Sequence, residues 1–423
     1  MAEPRLCHGC SAVPGWNCPA VPWLLASATT VLGDSHNFGR RVSLKGKRVH
    51  KPRTLLWEWL LLGKDSPLRR LLGACAEQGG LGADAFDFLP TLGFARAKGR
   101  AGGEVEHVAL EPLGRLSRAE KLVLATAVGR SLALFSWLGV ADLHWENLVL
   151  GRDARGRLVF GPLDVEMIFA ELSLPTETKL LPDADPEYAA VCRHACGVRR
   201  VLPYLGKPVG PEALLAMAGA YGATLALLER HARAIADTLL RVPGLRRAPI
   251  RVCLRGTDEY VRAGSGPLWP PLLDGEAEQL ARGDIPYFFR LYGQRGIFYY
   301  ANRALTKLAR LPSRGDVPQL DAMLSLARGL RSPSRKKLRE EGLFALLAAF
   351  DHDGLAGRHR LGDLLVTFGV RRLVVELPTG EEQSSRRDLS AFVGSVYLPC
   401  RCGEVRSVFV PRATRCTLGR GTR

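Results

Sequence analysis

Residues 142–151 read DLHWENLVLG and residues 163–166 read LDVE. The first stretch places two acidic residues, a histidine and an asparagine within six positions, just after the apolar run KLVLATAVGRSLALFSWLGV. Ser117 and Glu120 fit a capping box before that run, and Gly139 follows its periodic part, so the run predicts a helix. NLVLGRDARGRLVFGPLD then predicts a strand, a glycine-containing turn and a second strand.

This order of elements is typical of a nucleotide phosphotransferase. Such an enzyme needs a carboxylate near the acceptor hydroxyl, and an amide and a second carboxylate to hold magnesium against the phosphates. Protein kinases take them from H-R-D-x-x-x-x-N, a hairpin and a metal-binding aspartate. Asp142 and Asn147 have the same spacing of five, and the hairpin leads to Asp164. Glu166 read alone would be a surface carboxylate.

A phosphate-holding half of the site is predicted upstream. GDSHNFGRRV carries Gly33 and Gly39, and the hairpin RRVSL-KGK-RVHK follows it and ends at Lys51. Lysines are scarce, with 11 among the 59 basic residues, so Lys51 stands where a phosphate-binding lysine is expected. The next stretch, TLLWEWLLLG, has helical spacing.

Structural interpretations compete at single positions. Asp142 would serve as a turn or cap residue, Asn147 as a turn former, and His144 as a core histidine with its hydrogen bonds satisfied. Only the joint order of the elements favours the catalytic interpretation.

Composition indicates a soluble globular protein of two or three structural units. The chain has 423 residues, 47% of them hydrophobic, and its mean hydropathy is near zero. We expect no membrane span, because Arg130 interrupts the best apolar run, and a cytoplasmic location, because MAEPRLCHGC is not a signal peptide. The ten cysteines are then expected to be reduced thiols.

The net charge of +17 has two explanations. It fits an acidic partner such as nucleic acid, phosphate groups or an acidic peptide. The preference for arginine over lysine, with abundant Ala, Leu and Gly, fits a GC-rich genome equally well. We do not expect nucleic acid to be the partner.

Secondary structure beyond the hairpin divides in two. Residues 175–245 and 276–350 read as mostly helical. After residue 351, LLVTF, RRLVVEL and SVYL predict a small β-containing end.

Six motifs together resemble the dehydratase domain of class II lanthipeptide synthetases. They occur in family order, as GDSHNFGR, VHKPRTL, DLHWENLVLG, LDVEMIF, IRVCLRGTDEY and RGDIPYF. The resemblance implies an α+β, kinase-like fold of two lobes that is related to lipid kinases. It implies an N-terminal segment (1–30), an N-lobe (31–115), a catalytic C-lobe with a helical region (116–350) and a small C-terminal region (351–423).

The resemblance also implies an activity. Enzymes of this family use ATP and Mg2+ to phosphorylate Ser and Thr of a ribosomal precursor peptide, then eliminate the phosphate to leave dehydro residues. It assigns peptide hydroxyl activation to Asp142, phosphate contact to His144, and Mg2+ binding to Asn147, Asp164 and Glu166. Further implied roles are nucleotide phosphate binding by Lys51, organisation of the phosphate loop by Asp34 and His36, and elimination by Arg251 and Thr257. Otherwise Arg251 would be a surface salt-bridge residue and Thr257 a helix cap.

We expect no counterpart of the family's usual C-terminal zinc-dependent cyclase domain. We therefore expect a precursor peptide with a leader as substrate, and a separate cyclase or other tailoring enzyme as partner. Two alternatives stay open: a kinase of a peptide or small molecule that does not eliminate, and a silent scaffold that binds a peptide. Simple phosphoryl transfer has no need of Arg251 and Thr257, whereas a silent scaffold has no need of the charged site residues.

Overall fold

The computed structural model describes most of the chain between residues 30 and 311. The described residues are 30–97, 102–170, 175–181, 196–206, 209–263, 272–294 and 296–311, with short segments from 338 onward. The predicted N-terminal segment before residue 30 and the helical prediction over 312–337 lie outside the described residues.

An antiparallel sheet opens the described chain. Its strands are β1 (Thr30–His36), β2 (Arg40–Lys45), β3 (Arg48–Lys51), β4 (Phe94–Ala95) and β5 (Gly103–Glu106), in the order β1-β2-β3-β5-β4. The predicted β2–β3 hairpin is confirmed: Lys45 pairs with Arg48, and Gly46 turns the chain with a φ of 56°. Lys51 ends β3 and is buried.

Two helices follow β3, α1 (Leu56–Leu62) and α2 (Pro67–Gln78). The helix predicted in TLLWEWLLLG is confirmed as α1, and every residue of it is buried, including the charged Glu58. The Ser66 side chain caps α2 by accepting a hydrogen bond from Arg69 N.

The long central helix α3 (Arg118–Leu138) confirms the predicted capping signals. Ser117 and Glu120 form the capping box at its start, and Gly139 ends it with a left-handed φ of 65°. A Cβ atom at Gly139 would lie 2.2 Å from the Ala170 carbonyl oxygen, so glycine is required here on two counts.

Helices α4 (Leu202–Leu205), α5 (Pro211–Arg230) and α6 (Ala232–Leu240) follow, and α5 packs along α3. A Cβ atom at Gly129 would meet the Met217 carbonyl oxygen at 2.1 Å, so the two helices approach closely there. Helix α3 and the Glu212–Arg230 part of α5 are long and apolar enough to cross a membrane. The most apolar stretch of α3 is 72% buried and that of α5 50% buried inside the protein, as in soluble core helices. The absence of a membrane span stays a prediction.

The predicted hairpin after the opening motif is confirmed as β6 (Leu148–Arg152) and β7 (Leu158–Pro162), which pair antiparallel. A 3-10 turn over Trp145–Asn147 leads directly into β6. Further 3-10 turns occur at Pro175–Thr178, Gly197–Arg200 and Leu245–Arg247.

A second antiparallel sheet corrects one expectation. Its strands are β8 (Pro249–Val252), β9 (Phe288–Leu291), β10 (Phe298–Tyr300) and β11 (Leu308–Arg310), with α7 (Thr257–Ala263) and α8 (Asp274–Ala281) between β8 and β9. The helical prediction for 276–350 is wrong over 288–310. Tyr287, Phe289 and Leu291 belong to one apolar cluster, whereas Phe288 packs in another. This alternation is the period of a strand.

The predicted β-containing C-terminal end is confirmed by two small antiparallel sheets. The first contains β12 (Gly357–Leu361), β13 (Leu364–Phe368), β14 (Leu373–Glu376) and β15 (Arg387–Asp388). The second contains β16 (Val393–Ser395), β17 (Val405–Val408) and β18 (Thr417–Arg420).

The fold mixes helix and sheet, in agreement with the predicted α+β class, and every strand pair described above is antiparallel. One apolar core joins α1, α2, α3 and α5. It includes Trp57, whose ring meets the edge of Phe169 at a centroid distance of 5.5 Å. Trp57 Nε1 also donates a hydrogen bond to the Pro249 carbonyl oxygen. This core bridges the predicted boundary near residue 115, and the boundary stays a prediction.

Candidate active site

Asp142 lies in the loop between α3 and β6, and its backbone is left-handed, with a φ of 67°. Asn147 Nδ2 donates a hydrogen bond to the Asp142 carbonyl oxygen over 2.8 Å. Leu143 N donates to the Thr178 carbonyl oxygen over 2.9 Å. The structure therefore brings Asp142 and Asn147 together and ties their loop to the 175–181 segment. From that segment, Lys179 Nζ donates to Asp142 Oδ1 over 2.9 Å.

The Asp142 carboxylate is ionised at neutral pH. Burial acts to raise its pKa, but the neighbouring Lys179 and then His144 and Arg251 outweigh burial, so the pKa is lowered. Asp142 thus has the unprotonated oxygen that a proton acceptor needs.

His144 is partly exposed, with 24% of its side chain accessible, so it is not a core histidine. Its Nδ1 lies 3.9 Å from Glu146 Oε2. The adjacent Trp145 is fixed by Arg200, whose Nε donates to the Trp145 carbonyl oxygen over 2.6 Å. The guanidinium carbons of Arg199 and Arg200 lie 5.4 Å and 5.3 Å from its ring centroid.

Lys51 and Asp164, far apart in sequence, meet in a buried cluster of charges. Lys51 Nζ donates to Glu58 Oε1 over 3.0 Å and to the Leu163 carbonyl oxygen over 2.8 Å. It also lies 3.7 Å from Asp164 Oδ2. The lysine predicted to hold phosphate and the aspartate predicted to hold metal therefore share one site, with Glu58 as the carboxylate partner of the lysine.

Arg53 is the centre of this cluster. Its Nη2 donates hydrogen bonds to Glu58 Oε1 and to Asp164 Oδ1, and its Nε lies 3.1 Å from Glu166 Oε1. Only 10% of the arginine side chain is exposed. One guanidinium therefore joins three carboxylates from α1 and from the segment after β7.

These cations also set the charge of Asp164. Burial acts to raise its pKa, but Arg53 and Lys51 lower the pKa to about 2. Asp164 is consequently a full anion at any pH where the protein would work.

Glu166 and Arg251 are joined through both backbone and side chain. Arg251 N donates to the Glu166 carbonyl oxygen over 3.0 Å, and Arg251 Nη1 donates to Glu166 Oε1 over 3.1 Å. The guanidinium carbon of Arg251 lies 5.4 Å from the ring centroid of Tyr287. Neither Glu166 nor Arg251 is a surface group, because 11% and 19% of their side chains are exposed.

Two oxygens of this site are available as acceptors. Glu166 Oε2 is buried and has no hydrogen-bond partner within the described parts of the chain, which is costly for a carboxylate. The Asn147 side chain donates through Nδ2 to the Asp142 carbonyl oxygen, so Asn147 Oδ1 can accept. Leu163 N donates to the Asn147 carbonyl oxygen over 2.8 Å, so Asn147 lies beside Asp164. Among the described residues no three His, Cys, Asp or Glu side chains form a metal-binding group, and Mg2+ binds with one or two carboxylates when phosphates complete its shell.

The loop between β1 and β2 is held by Asp284, from the RGDIPYF motif. Asp284 is 1% exposed. Its carboxylate accepts hydrogen bonds from Ser35 Oγ over 2.8 Å, Phe38 N over 2.6 Å and Gly39 N over 2.9 Å. Arg282 Nε donates to the same carboxylate over 2.8 Å, and its guanidinium covers the Phe38 ring at 3.9 Å. The backbone amides of Phe38 and Gly39, in the loop predicted to bind phosphate, therefore donate to the Asp284 carboxylate instead.

His36 is the last residue of β1, just before this loop. Its Nδ1 lies 2.7 Å from the Ile285 carbonyl oxygen, and since a carbonyl only accepts, Nδ1 carries the proton. Burial, and then the charge of Arg251, lower the pKa of His36. The imidazole is therefore neutral near pH 7, and its Nε2 has a free lone pair. Its ring also meets Tyr287 edge-on at 5.8 Å.

Asp34 and Thr257 are more exposed than the other predicted site residues. Asp34 is exposed on β1, and its charge acts on His36 without a hydrogen bond to it. Thr257 is exposed at the first position of α7. Across the described residues, no hydrogen bond joins the Thr257 side chain to Arg251.

The sequence interpretation missed four residues of this site: Arg53, Glu58, Lys179 and Asp284. Glu58 could have been found, because it is the one charged residue in the apolar stretch LLWEWLLL. Arg53 and Asp284 lie within the motifs VHKPRTL and RGDIPYF, but neither motif indicates their bonding partners, and Lys179 carries no local signal. No protein-family model matches this chain, and no curated protein matches it.

Proposed function

We propose that this protein is an ATP-dependent dehydratase of Ser and Thr residues in a ribosomally made precursor peptide. The observation that carries the proposal is the meeting of Lys51, Glu58 and Asp164, from three separate elements, beside the Asp142–Asn147 loop. A buried Lys–Glu pair facing a metal-binding aspartate is the arrangement by which kinases hold ATP phosphates.

The fold supports a kinase-like, two-lobed architecture by its order of elements. A glycine-bearing loop joins β1 to β2, the lysine ends β3, and its carboxylate partner lies on the next helix. The apolar helix α3 then precedes the loop with Asp142, and the β6–β7 hairpin precedes Asp164. Kinases have the same sequence of parts.

Lys51 would bind the nucleotide phosphates, and Asn147, Asp164 and Glu166 would hold Mg2+. When bound, the metal would neutralise charge on the phosphates. This Mg2+ assignment is supported by two available acceptor oxygens, Glu166 Oε2 and Asn147 Oδ1.

In the first step, Asp142 would accept the proton of a peptide hydroxyl while that oxygen attacks the γ-phosphorus of ATP. The bond from the γ-phosphorus to the bridging oxygen breaks, and ADP leaves with the electron pair. His144 would contact the transferring phosphate from its position two residues after Asp142.

In the second step, the α-proton is removed, the Cα=Cβ bond forms, and phosphate leaves with the electrons of the Cβ–O bond. His36 would be the base, since its Nε2 is unprotonated and its ring contacts Tyr287, which also contacts Arg251. Arg251 would bind the departing phosphate in a two-pronged way. Asp34 would organise the loop of His36, and Thr257 would join the phosphate pocket.

The proposal includes a leader-bearing precursor peptide as substrate, a separate cyclase or tailoring enzyme as partner, and action in the cytoplasm. An acidic segment in that peptide would be compatible with the +17 charge.

One observation favours a second candidate, a kinase that phosphorylates without eliminating. Thr257 is exposed and makes no hydrogen bond to Arg251 among the described residues, while Arg251 is already held by Glu166. If that arrangement persists with substrate bound, the phosphopeptide would be the final product.

Mass spectrometry of a precursor peptide encoded beside this gene, co-expressed with the protein, tests the proposal. We expect losses of water from the peptide; a stable gain of phosphate would establish the second candidate instead. No modification of any such peptide would reject both.

The variant Asp164→Asn checks that the site is responsible. It should abolish phosphorylated and dehydrated products, because Asn lacks the charge that binds Mg2+, and the circular dichroism spectrum should be unchanged. Asp87→Asn is the matched control, since Asp87 lies on the surface near Arg157. Normal dehydration by Asp164→Asn would contradict the kinase-like assignment.

A further inference from the structure

Lys179, which contacts Asp142 in the candidate site, has an unfavourable backbone conformation. Asp142 and Lys179 have φ values of 67° and 63°, in the left-handed region that side chains other than Asn and Asp rarely adopt. Their side chains meet, with Lys179 Nζ 2.9 Å from Asp142 Oδ1. A lysine in this region is strained, and such strain persists where the surroundings impose it, often at functional sites.

The surroundings of Lys179 do impose it. Lys179 N donates to the Thr176 carbonyl oxygen over 3.0 Å, and the Lys179 carbonyl oxygen accepts from Gly197 N over 3.0 Å. The preceding Thr178 is fully buried, and its hydroxyl donates to the Pro175 carbonyl oxygen. A lysine on a flexible surface loop would have none of these constraints, so the fold directs this ammonium to Asp142.

We propose that Lys179 is a catalytic residue, whose ammonium contacts the transferred phosphoryl group while it remains bonded to Asp142. This inference rests on the proposed function. An ammonium has three N–H donors, so one can stay on Asp142 Oδ1 and another can bind a phosphate oxygen. The side chain is 57% exposed, so phosphate can reach it.

Lys179 would share the phosphate contact that the family resemblance assigns to His144. The His144 ring nitrogen lies 3.9 Å from Glu146, whereas Lys179 lies within hydrogen-bonding distance of the proposed proton acceptor. In the transfer step the peptide oxygen bonds to the γ-phosphorus, ADP departs with the electron pair of the broken P–O bond, and the hydroxyl proton goes to Asp142. Lys179 stays protonated throughout and stabilises the charge on the phosphoryl oxygens.

The test compares Lys179→Met with Lys64→Met, using Mg2+, ATP and the co-encoded precursor peptide. Lys64 is a matched control, because it is also 57% exposed and pairs with a carboxylate, Glu106, at 3.0 Å. We expect kcat for phosphoryl transfer to fall about 10²–10³-fold in Lys179→Met, with KM for ATP little changed. The acid limb of its pH–rate profile should move to higher pH, because Asp142 loses its closest cation. Lys64→Met should match the parent.

Further variants guard against a folding artefact. Lys179→Asn is neutral but tolerates the left-handed backbone, so it should fold and lose the same activity, whereas Lys179→Arg should retain part of it. Parent-like kcat and pH profile in both neutral variants would overturn the inference, as would a comparable loss confined to His144→Ala. A parent protein that transfers no phosphate from ATP would instead reject the proposed function.

Discussion

Arg251 has a fixed orientation, because Glu166 holds one side of its guanidinium and the Tyr287 ring lies beneath it. Arg251→Ala should therefore let phosphopeptide accumulate, with elimination slowed about 10²–10³-fold while phosphoryl transfer continues. Arg251→Lys keeps the charge without the planar fork and should restore elimination only in part. Intact-mass measurement of the co-expressed peptide separates the gain of phosphate from the loss of water. Parent-like dehydration by Arg251→Ala would assign elimination to other residues.

His36 makes the free energy of unfolding depend on pH. Burial and Arg251 lower its pKa in the folded state, below the ordinary value near 6.5 that holds in the unfolded chain. The unfolded state therefore binds more protons below about pH 6.5, and stability falls as pH decreases through that range. In His36→Asn, whose amide can still donate to Ile285, urea unfolding should lose less stability between pH 7.5 and pH 5.5. An identical pH dependence in parent and variant would contradict this.

The β1–β2 loop depends on one residue that lies about 250 positions later. Asp284→Ala would leave the amides of Phe38 and Gly39 and the Nε–H of Arg282 without their acceptor. We expect a loss of about 3–5 kcal/mol in the free energy of unfolding, as for breaking a buried ion pair, measured by urea titration. Asp237→Ala, which affects only an exposed pair with Arg233 at 4.0 Å, should change stability by less than about 1 kcal/mol. Equal effects of the two variants would argue against the Asp284 clamp.

Elements with local signals were predictable, and elements defined by distant partners were not. Ser117, Glu120 and Gly139 specify α3 within one stretch of sequence, and the structure confirms each. Strands β9, β10 and β11 were mistaken for helix, because they are only three or four residues long and too short to display a clear period. Its aromatic runs YFF and FYY, flanked by Gly293 and Gly296, were the strand signal that should have decided the question.

The site follows the same rule. Lys51 and Asp164 were identified from motif order, and the structure brings them within 3.7 Å. Arg53 and Asp284 were missed, because their partners lie 111 and 246 residues away and no spacing encodes such contacts. The chemical roles of all these residues stay predictions.

At the scale of the whole molecule, the +17 charge should govern peptide binding. An acidic leader held by surface arginines would bind more weakly as salt shortens the Debye length from about 10 Å at 0.1 M to about 3 Å at 1 M. Fluorescence anisotropy with a labelled precursor peptide would measure the affinity across that range. Affinity independent of salt would favour genome composition as the origin of the charge.

The segment after β7 is tied to the second sheet at several points. Beyond the Arg251–Glu166 bonds, Arg290 Nη2 donates to the carbonyl oxygens of Ile168 and Phe169 over 3.3 Å and 2.9 Å. Burial lowers the pKa of Arg290 to about 10. Breaking its bonds to the two carbonyl oxygens would leave a buried cation without acceptors, which is unfavourable. Many kinases are switched on when the corresponding stretch becomes ordered after modification. Here Glu166, Ile168 and Phe169 are already bonded to the second sheet, so under the proposed function we expect Glu166 to keep its place whether or not the peptide is bound.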